Sequence, residues 1–354
     1  MNIESMSLEE KIGQLCMFGI SGQSIEGDTE NLLTNFHVGN IFLTKKNAIH
    51  PKQIHHLTQN LQAYTGNIPL FIAIEQGGGI NNTITNGVTI SPDLQTLGQI
   101  NNRLYTRQAA HIVSEELLAM GINMNTYIHA NIAENDTESF GANNKYTTKH
   151  VTAAVQGCQQ RDVAVPVRDF PGTGDLQAHI GACLTHLGPL HKTALQPFIK
   201  AIEAGANFIS ITNEATAHSD FTEPALFSEL IVRYLLREKL GYEGVIMSED
   251  LLEKDITLHA TPAEAAIRAI ETGVDLLVVG HDEAAQISIL ETLIEAVKSG
   301  QISESRIDQS VKRILQAKKE TNLTKFVNYD RDNFRQQWSV KLETLLATKA
   351  VVAL

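Results

Sequence analysis

Cysteine is scarce in this chain and shows no pairing pattern. The three present, Cys16, Cys158 and Cys183, are an odd number in 354 residues, with no CxxC spacing. That gives neither a disulfide framework nor a zinc-ligand pattern. Long apolar runs are missing as well; none approaches the roughly 18 residues of a membrane span. The opening Met1-Asn2-Ile3-Glu4-Ser5 has neither the basic start nor the apolar stretch of a secretory signal, so a reduced, cytoplasmic setting is expected. Positive charge is in short supply: 28 Lys and Arg stand against 40 Asp and Glu, a formal net charge of −12. Nucleic acids and anionic membranes are bound through basic patches, so neither is an expected partner. No GxGxxG follows the first apolar run, and Gly77-Gly78-Gly79 lacks the lysine of a P-loop. No cofactor is therefore expected.

What the chain has is a regular alternation. Hydrophobic residues make up 43% and charged residues 19%, ordinary for a globular protein with a large core. Short apolar runs at Gln14–Ile20, Val38–Leu43, Pro69–Ile74, Ile122–Asn125, Val163–Phe170, Asn207–Thr212, Gly244–Ser248 and Val274–Val279 read as strands. Stretches with apolar positions at helical spacing fall between most of them: Pro51–Tyr64, Ala109–Met120, Thr147–Gln160, Thr193–Ala204, Phe227–Glu238 and Pro262–Thr272. Strands alternating with helices imply parallel pairing through crossovers, and eight strands imply a closed (β/α)8 barrel of the TIM type. One domain over residues 1–320 is expected, ending in an amphipathic helix over 303–320 capped by Ser303 or Ser305. Residues 321–354 read as a tail that packs back on the barrel or bridges protomers; the oligomeric state is left open.

In such a barrel the chemistry sits at the C-terminal ends of the strands. Those positions read Glu75-Gln76, Asn125, Arg168-Asp169, Asn213-Glu214, Ser248-Glu249-Asp250 and His281-Asp282, an acidic mouth with one arginine. Paired carboxyl groups are what glycoside hydrolysis needs. Strand-end Asp and Glu also cap the helix that follows, and about half of these positions are expected to do only that.

The motifs are more specific than the pattern. Leu8-Glu9-Glu10-Lys11-Ile12-Gly13-Gln14-Leu15, Ile74-Glu75-Gln76-Gly77-Gly78-Gly79, Arg168-Asp169-Phe170-Pro171-Gly172-Thr173-Gly174 and Leu240-Gly241-Tyr242-Glu243-Gly244-Val245-Ile246-Met247-Ser248-Glu249-Asp250-Leu251 occur in that order. The chain thereby resembles glycoside hydrolase family 3, in its bacterial β-N-acetylglucosaminidase branch, over nearly all of residues 7–320. The likeness implies a TIM-type barrel and retaining hydrolysis of β-linked amino sugars or related β-glycosides, with a glycan or small glycoside as substrate.

Carried across position by position, the resemblance makes Glu249 the nucleophile. It replaces the family's aspartate with a side chain longer by one methylene, roughly 1.5 Å; Asp250 is the neighbouring alternative. The acid/base falls to His179, whose expected aspartate partner reads as Gln177, with Asp175 nearby. Substrate contacts fall to Glu75, Arg168, Asp169, Glu138 and Asn213. Two basic positions become acidic among them: the histidine of the family's Lys-His pair is Asp169, and the arginine of its R-S-F-G is Glu138. A pocket so altered is expected to favour hydroxyls, an amine or a cation over N-acetyl or anionic groups. Two alternatives stay open: a family member that binds a sugar or other ligand without hydrolysis, and repurposed chemistry with a hard divalent cation on Glu75, Asp169, Glu249 or Asp250.

Overall fold

The computed structural model describes residues 3–172, 194–214, 223–321 and 323. His179, Asp175, Gln177 and, apart from residues 321 and 323, the expected tail lie outside the described residues.

Eight parallel staves close into a barrel. They are β1 (Cys16–Gly19), β2 (Asn40–Leu43), β3 (Phe71–Ile74), β4 (Met124–Asn125 with Ile128–His129), β5 (Pro166–Phe170), β6 (Phe208–Ile211), β7 (Val245–Asp250) and β8 (Leu276–Val279). β8 pairs with β1, which makes one seam continuous. The other seam runs through β4, whose first segment pairs with β3 and whose second pairs with β5. Asn125 causes the break. Its side-chain amide takes the place of backbone against Gln76, accepting from Gln76 N at 2.9 Å and donating to Gln76 O at 3.3 Å. All eight runs read from sequence are strands of this barrel.

The helices begin where short polar side chains cap them. Asn102 caps Arg103–Ala119 and Asn143 caps Asn144–Gln159, earlier starts than apolar spacing alone suggests. Ser303, not Ser305, caps Glu304–Glu320. The stretch expected as a helix from Phe227 starts later and is wound as a π-helix over Leu230–Lys239. Among the described residues no helix is long and apolar enough to cross a membrane.

Side chains alternate along a strand, so positions two apart share a face. On β3 this puts Phe71, Ala73 and the following Glu75 on one face, and on β5 it pairs Pro166 with Arg168. Phe71 and Phe208 meet edge to face at 5.3 Å. Since β3 and β6 are not neighbours, this contact crosses the interior and closes its N-terminal end. Beneath it lies Lys318, fully buried, its ammonium 5.6 Å from the Phe71 ring and bonded to Gln14 Oε1 and Gly39 O, each at 2.8 Å. Burial lowers Lys318 to about 7. Among the described residues these groups fill the N-terminal end of the barrel interior.

A second anchor ties the outer helices to the strand starts. Asp275, with no exposed surface, accepts from Ile246 N at 3.0 Å, Ser310 Oγ at 2.7 Å and Arg313 Nη1 at 3.0 Å, and also from Arg237; Arg306 lies at 3.6 Å. Removing one member of a buried ionic cluster leaves the others uncompensated. Asp275→Asn is therefore expected to lower unfolding free energy by about 3 kcal/mol or more in chemical denaturation. A loss under about 1 kcal/mol, the range of surface pairs, would show that the cluster is not an anchor.

Candidate active site

The inward alternation delivers a layer of polar side chains above the apolar interior. Phe42, Pro166, Ser210 and Met247 line the walls of a pocket of about 210 Å³, and Glu75, Arg168, Glu249, Asp250 and Glu253 stand at its polar end. That volume lies below the roughly 300–1,000 Å³ of drug-sized sites, so the space formed by the described residues suits one ring-sized group.

Two of the strands depart from regular pairing where they carry these residues. Along β5 and β6 the register runs Val167 to Ile209, then Phe170 to Ile211, so one extra residue is inserted at Arg168-Asp169. Along β7 and β8 it runs Met247 to Leu276, then Asp250 to Val278, with the extra residue at Ser248-Glu249. A bulge re-aims side chains that a regular strand would send to opposite faces. Asp169 has φ of 72°, a conformation that Asp tolerates better than most side chains.

Arg168 is the centre of the resulting network. Its Nη1 donates to Glu75 Oε2 at 3.1 Å and its Nη2 to Glu249 Oε1 at 3.3 Å. Nη1 also lies 3.3 Å from His129 Nε2. With Nε2 as acceptor, the neutral ring carries its proton on Nδ1, which lies 2.8 Å from Asp169 Oδ2. Burial alone would raise Asp169, but the His129 contact and the Arg168 charge outweigh it and hold the carboxyl below its ordinary range. Glu249 goes the other way. Burial first, then the nearby Asp169 and Glu253 charges, push it up to about 7, with Arg168 opposing the rise. Neighbouring carboxyl groups whose affinities are driven apart in this way mark a chemical centre.

The other expected residues divide between the centre and its supports. Asn213 N donates to Glu249 Oε2 at 3.4 Å, while Asn213 Nδ2 donates to Asp250 O at 2.8 Å and Glu253 Oε2 at 2.9 Å. Asp250 is engaged by the backbone: its Oδ1 accepts from Leu252 N at 3.0 Å and Gly280 N at 2.8 Å, tying the end of β7 to the loop after β8. Glu138, Glu75 and His129 bring carboxylate and ring atoms within 4.8 Å of one another. The Arg168 guanidinium already lies against two of these three, so the cluster is compensated by an arginine. Asp282 is a helix cap, accepting from Ala285 N at 3.0 Å. Gly77-Gly78-Gly79 forms part of a tight hairpin; a Cβ at Gly78, where φ is 89°, would meet Pro92 O at 2.2 Å.

His129 and Glu253 were not among the residues expected from sequence. His129 follows the break in β4, beyond the point where the apolar run stops. Glu253 comes after the last residue of β7 in an unremarkable polar stretch. The recurrence of Ile-His three residues after Asn125 was the one signal that the stave resumes.

Comparison with known proteins agrees with this geometry. The model of the glycosyl hydrolase family 3 N-terminal domain matches residues 7–317. A β-hexosaminidase of Nitrosomonas eutropha is 25% identical over 318 residues, covering 85% of this chain and 91% of its own length. One of Idiomarina loihiensis is 24% identical over 341 residues, covering 91% and 98%. Among solved structures, a family 3 β-N-acetylglucosaminidase from Paenibacillus superimposes with a TM-score of 0.84 at 32% identity. That match covers 92% of this chain but 65% of the Paenibacillus chain, so this chain spans just under two thirds of it. A β-N-acetylhexosaminidase from Beutenbergia cavernae gives 0.77 at 25% identity and is covered over 99% of its length.

Arg168 is the charge that opposes the rise of Glu249, so Arg168→Met should raise the Glu249 titration midpoint further. It should also cost on the order of 3 kcal/mol of stability by stranding partly buried carboxylates. Titration of the Glu249 carboxyl by ¹³C NMR, with thermal unfolding alongside, checks both. An unmoved midpoint would mean that the guanidinium does not govern this group.

Proposed function

Because the chain belongs to glycosyl hydrolase family 3, we propose that it hydrolyses β-linked amino-sugar glycosides with retention of configuration, Glu249 being the nucleophile. The observation that carries this reading is the seating of Glu249: it lines the pocket, with Arg168 Nη2 on one oxygen and the Asn213 amide on the other. Both donors favour the carboxylate form that must attack. Asp250 is the poorer candidate because its carboxylate already serves two backbone amides.

In the proposed reaction a Glu249 oxygen attacks the anomeric carbon as the glycosidic bond breaks, giving a glycosyl ester and a departing alcohol. An acid protonates the departing oxygen. It then acts as base on the water that cleaves the ester, returning Glu249 as a carboxylate. We assign that role to His179 on the family resemblance. Arg168 keeps Glu249 oriented and ionisable, while Glu75 and His129 with Asp169 keep Arg168 in place. The amino-sugar class rests on the relatives, which are named β-hexosaminidases and β-N-acetylglucosaminidases. Hydrolysis is favoured over ligand binding alone because carboxyl groups with opposed affinities meet at the pocket, an arrangement that binding does not need. We place the reaction in the cytoplasm, on the scarcity of cysteine and the buried free thiols of Cys16 and Cys158.

Glu249→Gln should lower kcat/KM for an aryl β-hexosaminide by at least about 10³-fold, as loss of a nucleophile does. Retention of near-normal turnover would remove Glu249 from the role. The pH profile gives an independent check. The carboxylate is the reactive form, so ionisation about a midpoint near 7, above the ordinary 4.5, means that activity falls as pH drops through neutrality. The limb belongs to the Glu249–Asp169 pair rather than to one group. An acidic limb near 4.5 would contradict the assignment.

A further inference from the structure

Positive charge is scarce in this chain, yet it gathers at one place outside the strand-end pocket. A groove of about 400 Å³ lies over the helices Arg103–Ala119, Asn144–Gln159 and Gln196–Glu203. It shares no lining residue with the pocket at the strand ends. Arg103, Arg107, Lys149 and Lys200 line it, and among the described residues no carboxylate does. In a chain of net charge −12 that reverses the average surface. Among the described residues Arg103, Arg107 and Lys149 form no ion pair. Lys200 pairs with Glu203 at 2.5 Å, an exposed pair of the kind worth little. Arg107 has the amide of Gln160 beside it, a neutral partner that fixes the guanidinium without cancelling its charge. The residues outside the described set bring no surplus of negative charge: Asp175, Asp220, Asp330, Asp332 and Glu343 are outnumbered there by Lys192, Lys325, Arg331, Arg335, Lys341 and Lys349.

The chemistry of the lining narrows the anion. Arg103 and Arg107 stand four residues apart on one helix, so they share a face. Their planar forks match the oxygens of a phosphate group. Lys149 and Lys200 add point charges from the other two helices. Four positive charges balance about two phosphate groups, each about −1.5 to −2 at neutral pH. Thr148 and Thr152 line the same groove, and their hydroxyls both donate and accept, which is what sugar hydroxyls require. The volume falls within the roughly 300–1,000 Å³ of small-molecule sites. Among the described residues no aromatic side chain lines the groove, so it offers no platform on which a base could stack. A nucleic acid is the poorer occupant for that reason.

We propose that this groove binds a small phosphorylated sugar, held by Arg103, Arg107, Lys149 and Lys200, at a site separate from the strand-end pocket. The proposal does not rest on the hydrolytic reading and stands or falls by binding alone. The full chain is titrated calorimetrically with fructose 1,6-bisphosphate, glucose 6-phosphate, inorganic phosphate and the neutral sugars, at one low ionic strength. Affinity is expected to fall from the bisphosphate through the monophosphate to inorganic phosphate. Arg107→Gln and Lys149→Gln should each weaken bisphosphate binding about fivefold, the upper end for an exposed ion pair. Arg107→Lys, which keeps the charge, should recover most of that loss. Lys312→Gln, an exposed lysine on another helix, and Glu249→Gln, in the strand-end pocket, should leave the affinity within about twofold. A loss in Lys312→Gln equal to that in Arg107→Gln would mean general charge attraction and overturn the proposal. So would a loss in Glu249→Gln with none in Arg107→Gln, which would put the ligand in the strand-end pocket. Inorganic phosphate bound as tightly as the sugar phosphates overturns it, as does tighter binding of a single-stranded oligonucleotide or no binding of any phosphate.

Discussion

One guanidinium holds the working end of this barrel together. Glu75, Asp169 and Glu249 converge from β3, β5 and β7 on a small, mostly apolar pocket, where several ionised carboxylates would repel one another and resist burial. Arg168 makes the gathering tolerable. It reaches Glu75 with one nitrogen and Glu249 with the other, and it fixes the His129 ring that in turn engages Asp169. A lysine could not do this, because the fork of a planar guanidinium serves two carboxylates and a ring nitrogen from one position. The opposed shifts of Asp169 and Glu249 follow: the group paired to His129 stays ionised, and Glu249, raised by its burial against the pull of Arg168, keeps its proton up to neutrality.

The backbone prepares this arrangement before any side chain acts. A regular strand cannot send Arg168 to the pocket and let Asp169 reach His129 without an adjustment, and both β5 and β7 insert a residue where their functional groups lie. The filled floor does the complementary work. With Phe71, Phe208 and Lys318 filling the N-terminal end, the pocket formed by the described residues lies at the strand ends that bear charge. Scaffold and charge are separable in this chain. The Phe-Pro-Gly turn after β5 and the two bulges set the backbone, while Arg168 and its carboxylate neighbours Glu75, Asp169 and Glu249 set the charge around it.

Most of the fold was legible in the sequence because short apolar runs and helical spacing are set locally. All eight strands and the closing helix were readable in this way, its cap narrowed to Ser303 or Ser305, of which the structure uses Ser303. Helix starts were harder. Asn102 and Asn143 cap polar first turns that face solvent and carry no apolar signal. The family motifs placed Glu249, Arg168, Asp169, Glu75, Asn213 and Glu138 near one mouth, and the structure brings them together. The division of labour was not legible. That Asp250 serves backbone amides and that Asp169 belongs to His129 depend on partners 30 or more residues away or on bulges. Spacing along the chain does not encode those.

The central claim is that Glu249, held by Arg168, forms a covalent bond to the sugar. Incubation with an activated 2-deoxy-2-fluoro glycoside, followed by peptide mass spectrometry, tests it most directly, since the fluorine slows breakdown of the glycosyl ester. The account predicts one sugar attached to the peptide containing Glu249, on Glu249 itself, with labelling abolished in Glu249→Gln. Labelling on Asp250, or none while the substrate is still hydrolysed, would contradict it.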